Sequence, residues 1–174
     1  MGIKEIYKLY SKYYLADTDT RSIREHTLFF ALKGANFNGN KFVTAALESG
    51  ADYAIIDEVE FEVPNKTILV ANVLETLQEL AKYHRLQLKA PIIALTGSNG
   101  KTTTKELIHA VLSEKYNTTA TVGNLNNHIG VPLTLLSMTP NTQIGIVEMG
   151  ANHQKEIEFL CTIAAPDFGY ITNF

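Results

Sequence analysis

The sequence predicts an α/β protein in two successive units, because short apolar runs alternate with helix-spaced apolar positions along most of its length. Two further observations sharpen that expectation. A glycine-bearing turn, residues 97–100, separates the apolar run Ile92-Ile93-Ala94-Leu95 from a helical pattern beginning near Thr102. Two later runs, 144–147 and 168–171, flank another helical pattern, and strand, crossover helix, strand is the arrangement of a right-handed parallel sheet.

The first unit covers residues 1–88. Ile3, Ile6, Tyr7, Tyr10 and Tyr14 recur at helical spacing and predict a short first helix. Residues 27–32 (TLFFAL) read as a buried strand ended by Lys33-Gly34. A helix is expected over 42–48, stopped by Gly50, and a strand over 53–56. Residues 67–70 form a further expected strand, and Leu74, Leu77, Leu80, Ala81 and His84 mark one face of the helix after it.

The second unit covers 89–174. Its first strand is β-branched and uninterrupted, as in a buried parallel sheet. In the helix after the turn, Leu107, Ile108, Val111 and Leu112 are expected on the inner face. Ile157, Leu160 and Cys161 are expected to face inward from the later helix. The sequence runs to Phe174 directly after what reads as a central strand, so a piece of a longer enzyme is expected.

Composition excludes several classes. Apolar residues make up 45% and charged residues 19%, ordinary for a globular chain and unlike disorder. The net charge of −3, with both signs interspersed, gives no basic stripe for nucleic acid. No apolar run approaches the roughly 20 residues needed to span a bilayer, so no membrane insertion is expected, nor is a signal peptide read at the start. Cys161 is the single cysteine, which rules out an intrachain disulfide and fits a reducing cytoplasm, the expected location. A monomer is expected.

The segment Thr96-Gly97-Ser98-Asn99-Gly100-Lys101-Thr102-Thr103-Thr104 carries the chemistry. Glycines before a helix let backbone N–H groups converge on phosphate oxygens, with the positive end of the helix dipole behind them. Lys101 can reach the β- and γ-phosphates, and the Thr102 hydroxyl can ligate the Mg²⁺ that accompanies ATP. Leu95 stands where the general pattern has its first glycine, so the loop is the shorter G-x-x-G-K-T form. The competing reading is a glycine turn capping a helix with a solvated lysine; the order strand, turn, Gly-Lys-Thr, helix favours phosphate. Residues 89–174 thus read as the first part of a P-loop parallel-sheet ATPase domain. Glu148 ends the strand at 144–147, at the sheet edge where ligands bind. Alone it is as readily an ordinary carboxylate in water; beside the loop it becomes a candidate Mg²⁺ ligand with Thr102.

Three motifs in order, TGSNGKTTTKEL at 96–107, Gly123-Asn124-Leu125-Asn126-Asn127-His128-Ile129-Gly130-Val131-Pro132, and Val147-Glu148-Met149-Gly150-Ala151-Asn152, resemble the central ATPase domain of the Mur ligase family. Asp19-Thr20-Arg21, with Leu28-Phe29-Phe30-Ala31-Leu32-Lys33-Gly34, looks like that family's UDP-sugar-binding domain. The resemblance covers nearly the whole chain. It implies an ATP-dependent amide ligase of peptidoglycan precursor synthesis, acting through an acyl phosphate, with ATP and Mg²⁺ as cofactors. The implied substrates are UDP-N-acetylmuramoyl-tripeptide and D-alanyl-D-alanine. It places Gly97, Ser98, Asn99, Gly100, Lys101, Thr102 and Thr103 on the ATP phosphates, and Thr102 and Glu148 on the metal. Lys101 and Glu148 become the catalytic pair. Asn126 and Asn127 would lie in the cleft, and Thr20, Arg21, Lys33, Asn36 and Phe37 near the uridine diphosphate. Without the resemblance, Asn124, Asn126 and Asn127 read as a turn, and Asp19-Thr20-Arg21 equally well as a loop with a helix cap.

Where relatives often show Asp-Gly-His, this sequence has Asn38-Gly39-Asn40. The family also continues well past position 174, so its further metal-binding histidine, modified lysine and C-terminal domain lie outside this sequence. Two alternatives stay open: a binding module that holds substrates without turnover, or another ligase with a short loop. Folylpolyglutamate synthases typically show Gly-Lys-Gly-Ser, against Gly100-Lys101-Thr102-Thr103 here. His84 and His109 are expected at the surface or boundary of helices, His26 at a strand start, and His128 and His153 beside the motifs. Cys161 is expected in core packing.

Overall fold

A computed structural model describes residues 1–173. It is a mixed α/β structure with two parallel sheets, each in its own compact unit, Met1–Leu80 and Ala81–Phe174. The expected division at 88/89 lies just past a helix, whereas the compact units divide inside that helix.

Unit one opens with α1 (Ile3–Tyr10), whose Ile6 and Tyr10 are buried. A four-stranded parallel sheet follows: β1 (Ala16–Asp17), β2 (Leu28–Phe30), then, after the antiparallel hairpin β3 (Lys33–Gly34) and β4 (Phe37–Asn38), the helix α2 (Val43–Glu48), β5 (Tyr53–Ile56) and β6 (Thr67–Leu69). The order is β1-β2-β5-β6, with Leu28 opposite Tyr53 and Ile55 opposite Ile68. Phe29, Ala31, Val43, Ala46, Ala51, Ala54 and Ile56 form a continuous core. The strand expected over 27–32 is confined to 28–30, because Ala31 and Leu32 already turn toward the hairpin: Leu32 N–H donates to Phe30 O at 2.9 Å.

The helix α3 (Val73–Gln87) buries Val73, Leu77, Leu80 and Ala81. His84, expected at the surface or boundary, is 1% exposed, with Nε2 3.0 Å from the Met138 carbonyl. It continues the apolar stripe of its own helix, and that stripe places it inside.

Unit two contains β7 (Ile92–Thr96), α4 (Lys101–Ser113), β8 (Thr118–Ala120), α5 (Gly130–Leu136), β9 (Ile144–Glu148), α6 (Glu156–Ala164) and β10 (Phe168–Ile171). Its sheet is parallel in the order β10-β7-β9-β8. Ile92, Leu95, Ile146 and Val147 are fully buried, as a parallel strand covered on both faces requires. One sequence expectation fails here. Leu107 and Val111 are 64% and 71% exposed: α4 turns Lys105 inward, with Ile108 and Leu112 half-buried on the same side at i+3 and i+7. Among the described residues β10 stands at one end of the strand order, and Phe168, Tyr170 and Ile171 are exposed. On α6 the buried residues are Leu160, Ile163 and Ala164, while Ile157 and Cys161 are half-buried. The sequence reading missed β8 and α5; both are short, and α5 sits inside the asparagine motif.

Replacing Phe29 by Ala removes a core ring with little room to collapse, and a loss of about 3–5 kcal/mol is expected from urea unfolding. Burial holds the His84 imidazole below its ordinary pKa. The unfolded chain therefore binds the extra proton first, and stability falls as pH drops below about 6.5. Urea midpoints taken from pH 7.5 to 5 should show this slope, reduced in His84→Gln.

Candidate functional site

Parallel strands all end on one side of their sheet, so the segments following β7, β9 and β10 meet at one edge. Leu95 of β7 lies opposite Glu148 of β9, and Thr96 opposite Ile171 of β10. The glycine loop, residues 97–100, therefore emerges between the two neighbours.

Gly97 and Gly100 both have positive φ, +142° and +78°. Glycine at 97 is required twice over, since a Cβ there would stand 2.1 Å from the Thr172 hydroxyl oxygen. Lys101 begins α4, and its ammonium folds back over the loop to donate to the Gly97 carbonyl at 2.7 Å. That places a fixed cation beside the first-turn N–H groups of α4, which have no intrahelical carbonyl to reach.

Glu148 is 1% exposed. Its Oε1 accepts from Asn126 Nδ2 at 2.8 Å and more loosely from the Thr102 hydroxyl at 3.3 Å. Its Oε2 is buried with no hydrogen-bond partner. A buried carboxylate oxygen without a donor is costly, and a cation is what relieves it. A carboxylate and a hydroxyl oxygen side by side are donors of the kind that Mg²⁺ takes, and Mg²⁺ needs few protein ligands. Among the described residues, no group of three or more His, Cys, Asp or Glu side chains could hold a metal.

The Glu148 backbone is held as firmly. Its N–H donates to Thr121 Oγ1 at 2.9 Å, and Thr121 O accepts from the ammonium of Lys105 at 2.6 Å. Lys105 is 0% exposed and also pairs with Glu106 at 2.8 Å, which keeps the Glu106 carboxyl below its usual range. Gly150 permits the approach of Asn126, whose Oδ1 would lie 2.9 Å from a Cβ there.

Lys101, Asn126, Asn127, His128, Asn152 and Lys155 help line a cavity of about 580 Å³. Asn127 does structural work at its rim: its Oδ1 accepts from the N–H groups of Ile129 and Gly130 at 3.0 and 2.9 Å, at the start of α5. Lys155 adopts φ +68°, uncommon for a residue with a side chain, ahead of α6. Glu156 accepts from the N–H groups of Asn152 and His153, which holds its carboxyl below the ordinary value. His128 lines the cavity, whereas His153 is not among its lining residues.

The remaining sequence candidates belong to unit one. Thr20 and Arg21 form a tight turn after β1, and Lys33, Asn36 and Phe37 lie on the hairpin after β2, so both sets lie at the carboxyl edge of that sheet. Arg21 pairs with Asp19, whose carboxyl it pushes down to about 2 through side-chain and backbone hydrogen bonds. Lys33 pairs with Asp57 at 3.1 Å and Glu58 at 3.4 Å. Phe37 is exposed and stacks on Phe42, ring centres 5.3 Å apart. Asn40, at the point of departure from the Asp-Gly-His pattern, is fully buried and exchanges two hydrogen bonds with Asp57.

Sequence reasoning missed Lys105, Thr121, Thr172 and Asn173. Thr172 and Asn173 had a legible signal, two polar residues at the carboxyl end of a parallel strand beside the loop. Lys105 had none.

Comparison with known proteins identifies relatives of this fold. The model of the Mur ligase family catalytic domain matches residues 12–85, and that of the Mur ligase middle domain matches residues 95–174. The UDP-N-acetylmuramoyl-tripeptide–D-alanyl-D-alanine ligase of Bacillus subtilis is 47% identical over 161 residues, covering 90% of this chain and 35% of the relative. Its Escherichia coli counterpart is 40% identical over 157 residues, covering 90% and 34%. The chain thus spans about a third of the length of these curated relatives. Among solved structures, MurF of Acinetobacter baumannii superposes with a TM-score of 0.80 at 38% identity, covering 90% of this chain and 34% of that one. MurF ligase of Thermotoga maritima in complex with ADP gives 0.78 at 33% identity, covering 91% and 37%. Two family models in succession, relatives aligned over nine-tenths of the sequence and matching folds lead to one conclusion: the chain belongs to the Mur ligase family.

Proposed function

We propose that this chain supplies the uridine-nucleotide and ATP-phosphate sites of an ATP-dependent ligase that joins D-alanyl-D-alanine to UDP-N-acetylmuramoyl-tripeptide in peptidoglycan precursor synthesis. The observation that carries the reading is the convergence of a glycine loop, Lys101, the Thr102 hydroxyl and a buried Glu148 with one unsatisfied oxygen. The ligase activity for which the similar proteins are named and the ADP complex of one structural neighbour support it.

In this reading the loop N–H groups and the start of α4 grip the β- and γ-phosphates. Lys101 leaves the Gly97 carbonyl for phosphate oxygens. Thr102 and Glu148 hold Mg²⁺, which when bound neutralises charge on the phosphate oxygens. The tripeptide carboxylate attacks the γ-phosphorus; the bond to the bridging oxygen breaks, ADP leaves with that electron pair, and an acyl phosphate remains. The D-alanyl-D-alanine amine then attacks the acyl carbon, loses a proton, and inorganic phosphate departs. Fixed cations and backbone dipoles stabilise the transferring group because they need no reorganisation. The cavity lined by Lys101, Asn126 and Asn127 would receive the carboxylate end of the muramoyl peptide. Thr20, Arg21, Lys33, Asn36 and Phe37 would contact the uridine diphosphate, with Arg21 and Lys33 exchanging their carboxylate partners for phosphate.

In the full-length ligase, Lys101→Ala should lower the rate of amide formation at least about 10³-fold. Glu148→Gln should raise the Mg²⁺ concentration needed for half-maximal rate. Near-normal ligation by Lys101→Ala, read as phosphate release dependent on both substrates, would refute the assignment.

A further inference from the structure

We infer that Thr172 and Asn173, just beyond β10, clamp the phosphate loop, and that Asn173 is a positioning residue for nucleotide binding; this deepens the phosphate-site reading above and rests on it. The loop is short, contains two glycines at positive φ, and would be floppy if left to itself. Its first half is instead tied down at successive atoms. Asn173 Oδ1 accepts from the Ser98 hydroxyl and from the Asn99 N–H, both at 2.8 Å. The Asn173 main-chain carbonyl accepts from the Ser98 N–H at 3.3 Å. The Thr172 hydroxyl donates to the Asn99 carbonyl, and the Thr172 N–H donates to the Thr96 carbonyl at 2.9 Å. Asn99 is thereby held through both its N–H and its C=O.

Fixing Asn99 on both sides sets the direction in which the chain enters Gly100, and hence where the first N–H groups of α4 point. The cost of ordering the loop is then met before a nucleotide arrives, which is how preorganisation raises affinity. The close fit at Gly97 belongs to the same device, because any side chain there would collide with Thr172. The neutral carboxamide also matters. An aspartate could accept the same two hydrogen bonds, but it would set a negative charge beside a phosphate site. Positioning and charge can therefore be separated by substitution.

The test measures MgADP binding to the full-length ligase that contains this chain by calorimetry, with hydrogen exchange of the Asn99 amide and the ligand-free melting temperature read in parallel. Asn173→Ala should weaken MgADP about 10-fold and speed Asn99 exchange, with the melting temperature unchanged. Asn173→Asp should restore slow Asn99 exchange yet still weaken MgADP, more at low salt than at high. Thr172→Val, a shape-conserving second variant, should weaken binding by roughly threefold. Binding by Asn173→Ala within twofold of the unsubstituted ligase, while Lys101→Ala loses it, overturns the clamp and leaves the phosphate site standing. Absence of MgADP binding by the unsubstituted full-length ligase overturns both.

Discussion

Everything at this site depends on parallel pairing of β7 with β9 on one side and β10 on the other. Parallel strands deliver their carboxyl ends to a common edge, so three segments far apart in sequence meet without any long excursion of the backbone. The glycine loop follows the middle strand, the carboxylate closes one neighbour, and the threonine-asparagine pair follows the other. Slipping either pairing by one residue would turn the relevant side chain to the opposite face. The ladder hydrogen bonds that fix register are therefore also the ones that fix the chemistry.

Glu148 shows what that arrangement can tolerate. Burying a carboxylate is unfavourable unless every oxygen finds a donor or a cation. Asn126 and Thr102 satisfy one oxygen, and the other is left bare. The backbone beneath it is secured by Thr121, which Lys105 anchors from inside the helix that follows the glycine loop. Loop, helix and carboxylate are thus joined through one chain of hydrogen bonds, and that chain keeps a poorly solvated group in a defined place.

Much of this was readable from residue order. The strand–glycine turn–helix succession around Lys101 and the carboxylate ending β9 follow from local pattern, and the structure has both elements where the pattern put them. The phase of α4 was not readable, because Leu107 and Val111 look like inward residues and a lysine looks like an outward one. The neighbouring Glu106 and the acceptor at Thr121, 16 residues on, together make burial of Lys105 feasible. His84 continues the apolar face of its own helix, but the carbonyl that satisfies its ring nitrogen inside lies 54 residues away, out of reach of the local pattern. Asn173 lies 74 residues from the Asn99 amide it receives, and no window of sequence contains both. Local propensity reveals elements and their ends, whereas partners supplied by tertiary pairing stay hidden until the fold is known.

The buried lysine has one more consequence. Its ammonium holds the Thr121 carbonyl, and the hydroxyl of the same threonine holds the Glu148 N–H. A charge enclosed in this way is tolerated only while its acceptors stay in place, so shortening the side chain at 105 would be felt at the carboxylate through one intervening residue.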